Sequence, residues 1–137
     1  MPFFGSTSQR RLHTVHEHLK YVLLEAIEYH DFSIICGHRS EHEQKEAFNN
    51  GFSKLNWPNS KHNVFPSIAV DIAPYYKSEP HIRWDRLYEF VYLQGMIIGI
   101  ARRRGIVLRS GINWDMDDEL ITDQGFNDFP HLEMVEK

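Results

Sequence analysis

A single cysteine, Cys36, stands among 137 residues, so no disulfide can form within the chain. It sits in the apolar run Phe32-Ser33-Ile34-Ile35-Cys36, which reads as a buried strand with a structural thiol. No apolar stretch approaches the roughly 18 residues of a membrane-spanning helix, so no membrane insertion is expected. An excess of positive charge is lacking too. Lys and Arg number 15 against 19 Asp and Glu, a net charge of −4, which argues against nucleic acid as a partner. The one basic run, Arg102-Arg103-Arg104, falls at a predicted helix end, where cations complement the helix dipole. The opening segment Met1-Pro2-Phe3-Phe4-Gly5-Ser6 has neither the charged start nor the apolar stretch of a signal peptide. Synthesis in the cytoplasm is the expectation, with some other agent delivering the protein if its substrate lies outside. No repeat, low-complexity tract or linker divides residues 1–137, which read as one domain and a monomer.

What is present is ordinary for a globular protein: 42% hydrophobic and 25% charged residues, in a chain long enough to bury a real core. The nine histidines are the exception, and imidazole is the commonest metal ligand.

Periodicity predicts a long first helix over about Ser8–His30, with Leu12, Val15, Leu19, Val22, Leu23, Ala26 and Ile27 on one face. A strand over Phe32–Cys36 follows, then a helix opened by a capping box of Ser40 and Glu43 and closed by Asn49-Asn50-Gly51. Residues 52–67 form a long irregular stretch, a length usually tied to function or disorder. Ile68–Ala73 reads as a strand, about Trp84–Arg104 as a helix with Leu87, Phe90, Val91, Gln94, Ile97, Ile98 and Ala101 on its inner side and Gly105 at its end, Ile106–Leu108 as a strand, and His131–Val135 as a last strand. This mixture without regular βαβ alternation predicts an α+β fold: a small antiparallel or mixed sheet with helices packed on one face.

The strand Ile68–Ala73 holds one acid, Asp71, between Val70 and Ile72. A buried carboxylate costs several kcal/mol unless it is paired or bound to a metal. His62 lies nine positions earlier, and His131 heads the last strand with Asp128 three residues before it. Two imidazoles and one carboxylate are a common catalytic zinc set that leaves a position for water, whose acidity the metal raises. Asp128 is placed to take the proton of that water and pass it on. The plainer alternative stays open from spacing alone: Asp71 turned to solvent on an edge strand, His62 an ordinary loop histidine.

Ser60-Lys61-His62, then Ala69-Val70-Asp71-Ile72-Ala73-Pro74, then Asp128-Phe129-Pro130-His131-Leu132-Glu133, taken in order, resemble the VanX/VanY-type zinc peptidases. That family includes D-Ala-D-Ala dipeptidases, D,D-carboxypeptidases and phage L-alanyl-D-glutamate endopeptidases, and shares its fold with the hedgehog signalling domain. Gly37-His38-Arg39-Ser40 resembles its arginine-bearing turn, and Ser110-Gly111 with Trp114 the segment ahead of its last ligand. The resemblance implies zinc, one per chain, on His62, Asp71 and His131, with Asp128 as catalytic acid/base. It implies that Arg39 holds the substrate carbonyl and developing oxyanion. Ser60 is either a substrate contact or a turn residue supporting the metal loop. Two departures stand out: Val64-Phe65-Pro66 lengthens the spacer before Asp71, and position 128 holds Asp where many members have Glu. The second favours the phage endopeptidase branch, whose members depend on a holin to reach peptidoglycan in the periplasm and wall. The expected reaction is hydrolysis of L-Ala–D-Glu, with terminal D-Ala–D-Ala or a non-catalytic wall-binding or virion module as alternatives.

Other clusters carry ordinary readings. His13, His16 and Glu17 make a solvated helix face, and His38 and His42 flank a helix start. Asn113, Asp115, Asp117, Asp118, Glu119 and Asp123 form an oxygen-rich loop that could take Ca²⁺, though without the glycine of an EF-hand. Trp57, Tyr75, Tyr76 and Trp84 are candidates to line a cleft for the stem peptide.

Overall fold

Four short segments of alternating residues build the sheet on which the rest is mounted. The computed structural model describes residues 2–135. The strands are β1 (Phe32–Cys36), β2 (Ala69–Pro74), β3 (Leu108–Ser110) and β4 (His131–Met134). They lie in the order β1-β2-β4-β3, every neighbouring pair antiparallel. Side chains alternate between faces along a strand. Ile34, Val70, Ile72, Leu108 and Leu132 therefore point into the core and are buried. Asp71 lies opposite His131, and Arg109 opposite Glu133, so these polar groups share the other face. A bulge between Ile34 and Cys36 breaks the alternation in β1 and brings Cys36 opposite Asp71 as well.

Helices α1 (Ser6–Leu12), α2 (Glu17–Ala26) and α4 (Leu87–Arg103) cover the apolar side. α4 lies across β2 and β3, α2 packs against α4, and α1 packs against β1. Helix α1 also covers the exposed edge of the sheet. The Ile34 N–H donates to Ser8 Oγ at 3.0 Å, and Arg11 Nη1 donates to the Ile34 carbonyl at 2.8 Å. An open strand edge is thereby satisfied within the chain. At the far end of α2, Glu25 pairs with Arg103 and Arg104, which joins the basic run to α2 as well as to its own helix terminus. Helix α3 (Glu41–Asn49) stands apart beside the long loop, opened by the expected Ser40–Glu43 capping box.

Three expected boundaries shift for identifiable reasons. The predicted first helix is two helices, because Thr14–His16 leaves the helix to pair with Ser67: Val15 bridges it in parallel, His16 N–H donates to the Ser67 carbonyl at 2.8 Å, and Ser67 N–H donates to the Thr14 carbonyl at 2.8 Å. The His16 ring then accepts from His18 N–H and caps α2. β3 starts two residues later than predicted, since Ile106 closes α4 instead. Its N–H donates to the Ala101 carbonyl at 2.8 Å around Gly105, whose φ of +79° favours glycine. α4 begins at Leu87 rather than Trp84, which stacks on Phe90 at the surface.

Ile72 sits at the centre of this packing, fully buried on β2. Ile72→Ala is expected to cost about 2–5 kcal/mol, read as a lowered midpoint in denaturant at unchanged slope.

Candidate active site

The polar face of the sheet, the loop before β2 and the loop before β4 meet over β2. A single 3-10 turn, Lys61–Asn63, delivers His62. Ser60 caps it by accepting from His62 N–H at 3.2 Å, and Asn63 Oδ1 accepts from Ser60 N–H at 3.0 Å. Val64 and Phe65, two of the three residues that lengthen the spacer, are 49% and 68% exposed, so the extra residues loop out and His62 and Asp71 still meet. His62 Nε2 lies 3.2 Å from Asp71 Oδ1, and His131 Nδ1 lies 3.3 Å from the same oxygen. β2 is a central strand, which removes the edge-strand alternative for Asp71.

The far nitrogen of each ring is held by the protein. His62 Nδ1–H donates to the Gly37 carbonyl at 2.7 Å, and His131 Nε2–H donates to Glu133 Oε1 at 2.8 Å. Each ring therefore turns its other nitrogen toward Asp71. This is the arrangement in which imidazoles present lone pairs to a metal, with outer hydrogen bonds fixing the tautomer. Asp128 belongs to the same group: it, Asp71 and His131 each offer an atom within 4.8 Å of the others. Cys36, His62 and Asp71 form a second such group, so the thiol expected to be purely structural lies against the site.

Arg39 closes the other side. Its Nη2 stands 3.5 Å from Asp71 Oδ2, while Nη1 donates to Gln44 Oε1 at 2.9 Å. Gln44, fully buried in α3, also donates to the Leu55 carbonyl at 2.6 Å. The site opens into a pocket of about 430 Å³ whose walls include Phe52, Trp114 and Phe126. The aromatics expected to line a cleft lie elsewhere: Tyr75 stacks on His81, Tyr76 beneath Arg83, and Trp84 on Phe90, while Trp57 is not in the wall.

Charges follow from this geometry. Burial on its own would lower the His62 imidazole, but the Asp71 charge and hydrogen bond override it and lift it to about 10. Burial also opposes His131, which the Asp71 and Glu133 hydrogen bonds nonetheless raise. Burial would raise Asp71; the two imidazoles hold it far below the usual carboxylate range. Asp128 is pushed up to about 6, first by burial and then by the negative charge of Asp71. Glu133 is held near 2 against burial by His131, Arg109 and Lys61.

Sequence reasoning missed several supports. Glu133 was legible in principle, since it lies two residues after His131 and must share its face. Gln94 was counted only as part of the inner helix face. It is buried in α4 and binds the Phe129 carbonyl, the His131 carbonyl and Ser110 Oγ, tying the Asp128–His131 loop to the core. Of the acidic loop, Asp115, Asp117 and Asp123 cluster in the open, while Asn113 is engaged with the Asp117 backbone. His42 is exposed beside Glu46, and His38 packs edge-on against Phe65.

The model of the phage L-alanyl-D-glutamate peptidase family matches residues 1–135. No curated protein sequence matches the chain. Among solved structures, the L-Ala D-Glu endopeptidase ChiX of Serratia marcescens is similar in fold. Its TM-score is 0.75 at 23% identity, with 98% of this chain and 91% of that chain covered.

The ion pair sets a pH window for the metal-free protein. A group whose value is raised on folding, as His62 is to about 10 from 6.5, contributes stability fully below its unfolded value and loses it as pH climbs through the folded one. Chelator-treated protein should therefore lose thermal stability between pH 6.5 and 10, and Asp71→Asn should flatten that decline. A wild-type melting temperature that stays level across the window contradicts the pairing.

Proposed function

The chain belongs to the phage L-alanyl-D-glutamate peptidase family, and on that premise we propose that it hydrolyses the L-Ala–D-Glu bond of peptidoglycan by a metal-assisted mechanism. The observation that carries the metal is the pair of imidazoles whose outer nitrogens are engaged by Gly37 and Glu133 and whose inner nitrogens converge on one Asp71 oxygen. Those two inner nitrogens and the Asp71 carboxylate are the donors that a divalent cation would find here. The donor set of two imidazoles and one carboxylate fits zinc. His62, Asp71 and His131 would hold it. Zinc, when bound, supplies Lewis acidity that lowers the pKa of water toward about 7 and polarises the scissile carbonyl.

The remaining work falls to the chain itself. Asp128, at about 6, is ionised at neutral pH yet basic enough to accept a proton. It takes the proton of the attacking water and returns it to the departing amine nitrogen, acting as base and then as acid. Arg39 presents a planar guanidinium whose orientation is set by Gln44, a fixed donor for the oxygen that becomes negative. Ser60 keeps the His62 turn in place through its hydroxyl and lines the pocket, where a substrate contact is also open to it. Work at the cell wall follows from the reaction, and we infer that a single chain reaches it with the help of a holin. Calcium at Asp115, Asp117 and Asp123 has no comparable support.

Mass spectrometry of digested sacculi should show new N-terminal D-Glu and no release of free D-Ala. The opposite pattern rejects the assignment in favour of a carboxypeptidase. Asp128→Asn should lower turnover by roughly 10²–10⁴-fold with the metal content of the wild type. In the wild type kcat/KM should fall as pH drops below about 6, where Asp128 becomes protonated. Normal turnover by Asp128→Asn removes the acid/base role. Chelation should abolish activity and zinc restore it, whereas activity that survives exhaustive chelation excludes the metal.

A further inference from the structure

The pocket beside the site has a cationic wall that neither metal binding nor proton transfer uses. Glu133 spends Oε1 on His131. Its other oxygen, Oε2, takes Lys61 Nζ at 3.0 Å, Arg109 Nε at 3.1 Å and Arg109 Nη2 at 2.6 Å. Two cations thus share a single carboxylate, which leaves the wall with a net positive charge in a protein whose overall charge is −4. Both cations line the pocket and are about a third exposed to it, at 31% for Lys61 and 33% for Arg109. Among the described residues Arg109 Nη1 has no hydrogen-bonded acceptor, so the guanidinium keeps donor capacity beyond Glu133. The guanidinium also lies 5.9 Å from the ring of Trp114, which packs on His131, so the wall adjoins the site. A third cation, Lys54, sits over Phe126 at the pocket rim.

Such a wall suits an anion on the substrate, close to the scissile bond. D-glutamate has two carboxyl groups: one continues the stem peptide, and the other stays on the residue whose nitrogen is released. We propose that Lys61 and Arg109 bind this free carboxylate of D-Glu and make the enzyme selective for it over the carboxamide. The proposal rests on the L-Ala–D-Glu reading above. Charged, partly desolvated pairs of this kind discriminate strongly, because the neutral analogue leaves the two cations with only the Glu133 carboxylate they already share. Glu133 then has two duties, orienting His131 through one oxygen and holding the two cations in register through the other.

The test compares two synthetic stem tetrapeptides, identical except that one carries D-Glu and the other its carboxamide, D-isoglutamine. Wild-type kcat/KM should favour the carboxylate by more than tenfold, chiefly through KM. Lys61→Gln and Arg109→Gln should each reduce that ratio to within about threefold. The ratio is the readout, since absolute rates also respond to any disturbance of Glu133, and metal content and melting temperature are measured on the same samples. Equal cleavage of both peptides by the wild type overturns the proposal without recourse to any variant. A strong wild-type preference that survives in both variants overturns the assignment to Lys61 and Arg109. Failure to cleave either peptide, with other bonds cut in sacculi, overturns the reaction itself and the carboxylate site with it.

Discussion

One carboxylate oxygen organises this protein. Asp71 Oδ1, on a central strand, is approached by two imidazoles at 3.2 and 3.3 Å, while Oδ2 faces Arg39. An ionised carboxylate at 14% exposure is costly to desolvate, and only close, well-directed positive partners offset that cost. Those partners come from three places: the 3-10 turn within the long loop, the first residue of β4 and the turn after β1. Their convergence dictates that β4 lies beside β2 and that residues 52–67 fold back over the sheet. The same demand makes the cluster receptive to a cation. The same carboxylate raises both imidazoles against the effect of burial, His62 to about 10.

Around this centre the chain places supports that reach into different parts of the fold. His62 is anchored to the Gly37 carbonyl, and Gly37 is itself wedged against the end of α1: a Cβ there would overlap Thr14 Oγ1 and lie 2.7 Å from the Arg11 carbonyl. Thr14 in turn accepts from His38 N–H at 2.9 Å. The break between α1 and α2 is therefore the surface against which the Arg39 turn is set, and an uninterrupted helix would have no residue there to do it. On the opposite side Gln94 ties the β4 loop to α4, and Gln44 ties Arg39 to α3 and to Asn63. Buried amides with every group engaged hold the geometry more tightly than apolar packing would, since their bonds are directional.

Much of this was legible in the sequence, and the limits have physical causes. The strand around Asp71, the capped α3, the glycine end of α4 and the three ordered motifs are all signalled by near neighbours, and the structure brings His62, Asp71, His131, Asp128 and Arg39 together. What stayed hidden depends on contacts distant in sequence. Thr14–His16 carries no helix breaker; it leaves the helix because Ser67, fifty residues on, offers its backbone. The aromatic wall was assigned to residues near Asp71 in sequence, yet it is made by Phe52, Trp114 and Phe126, which loops carry in from either side. Gln94 looked like one more residue on an inner helix face, because periodicity reports burial without reporting what a buried amide binds.

The aspartate at position 128 shows how such distant contacts settle a local question. Asp reaches one carbon less than Glu, so an Asp in the proposed acid/base position must bring its backbone closer to the cluster. Gly111 makes that approach possible. A Cβ on it would overlap the Asp128 carbonyl and lie 2.8 Å from the Asp128 Cβ, so only glycine fits. The same residue locks the approach with backbone hydrogen bonds: Asp128 N–H donates to the Gly111 carbonyl at 2.9 Å, and Gly111 N–H donates to the His131 carbonyl at 2.9 Å. The shorter side chain and the missing Cβ are thus one adaptation divided between two positions. A Glu at 128 on this backbone would carry its carboxylate one carbon too far, toward Asp71, whose charge already raises the acid that is there. The short acid is therefore the one this backbone holds beside Asp71 and His131, where the proposed acid/base role needs it.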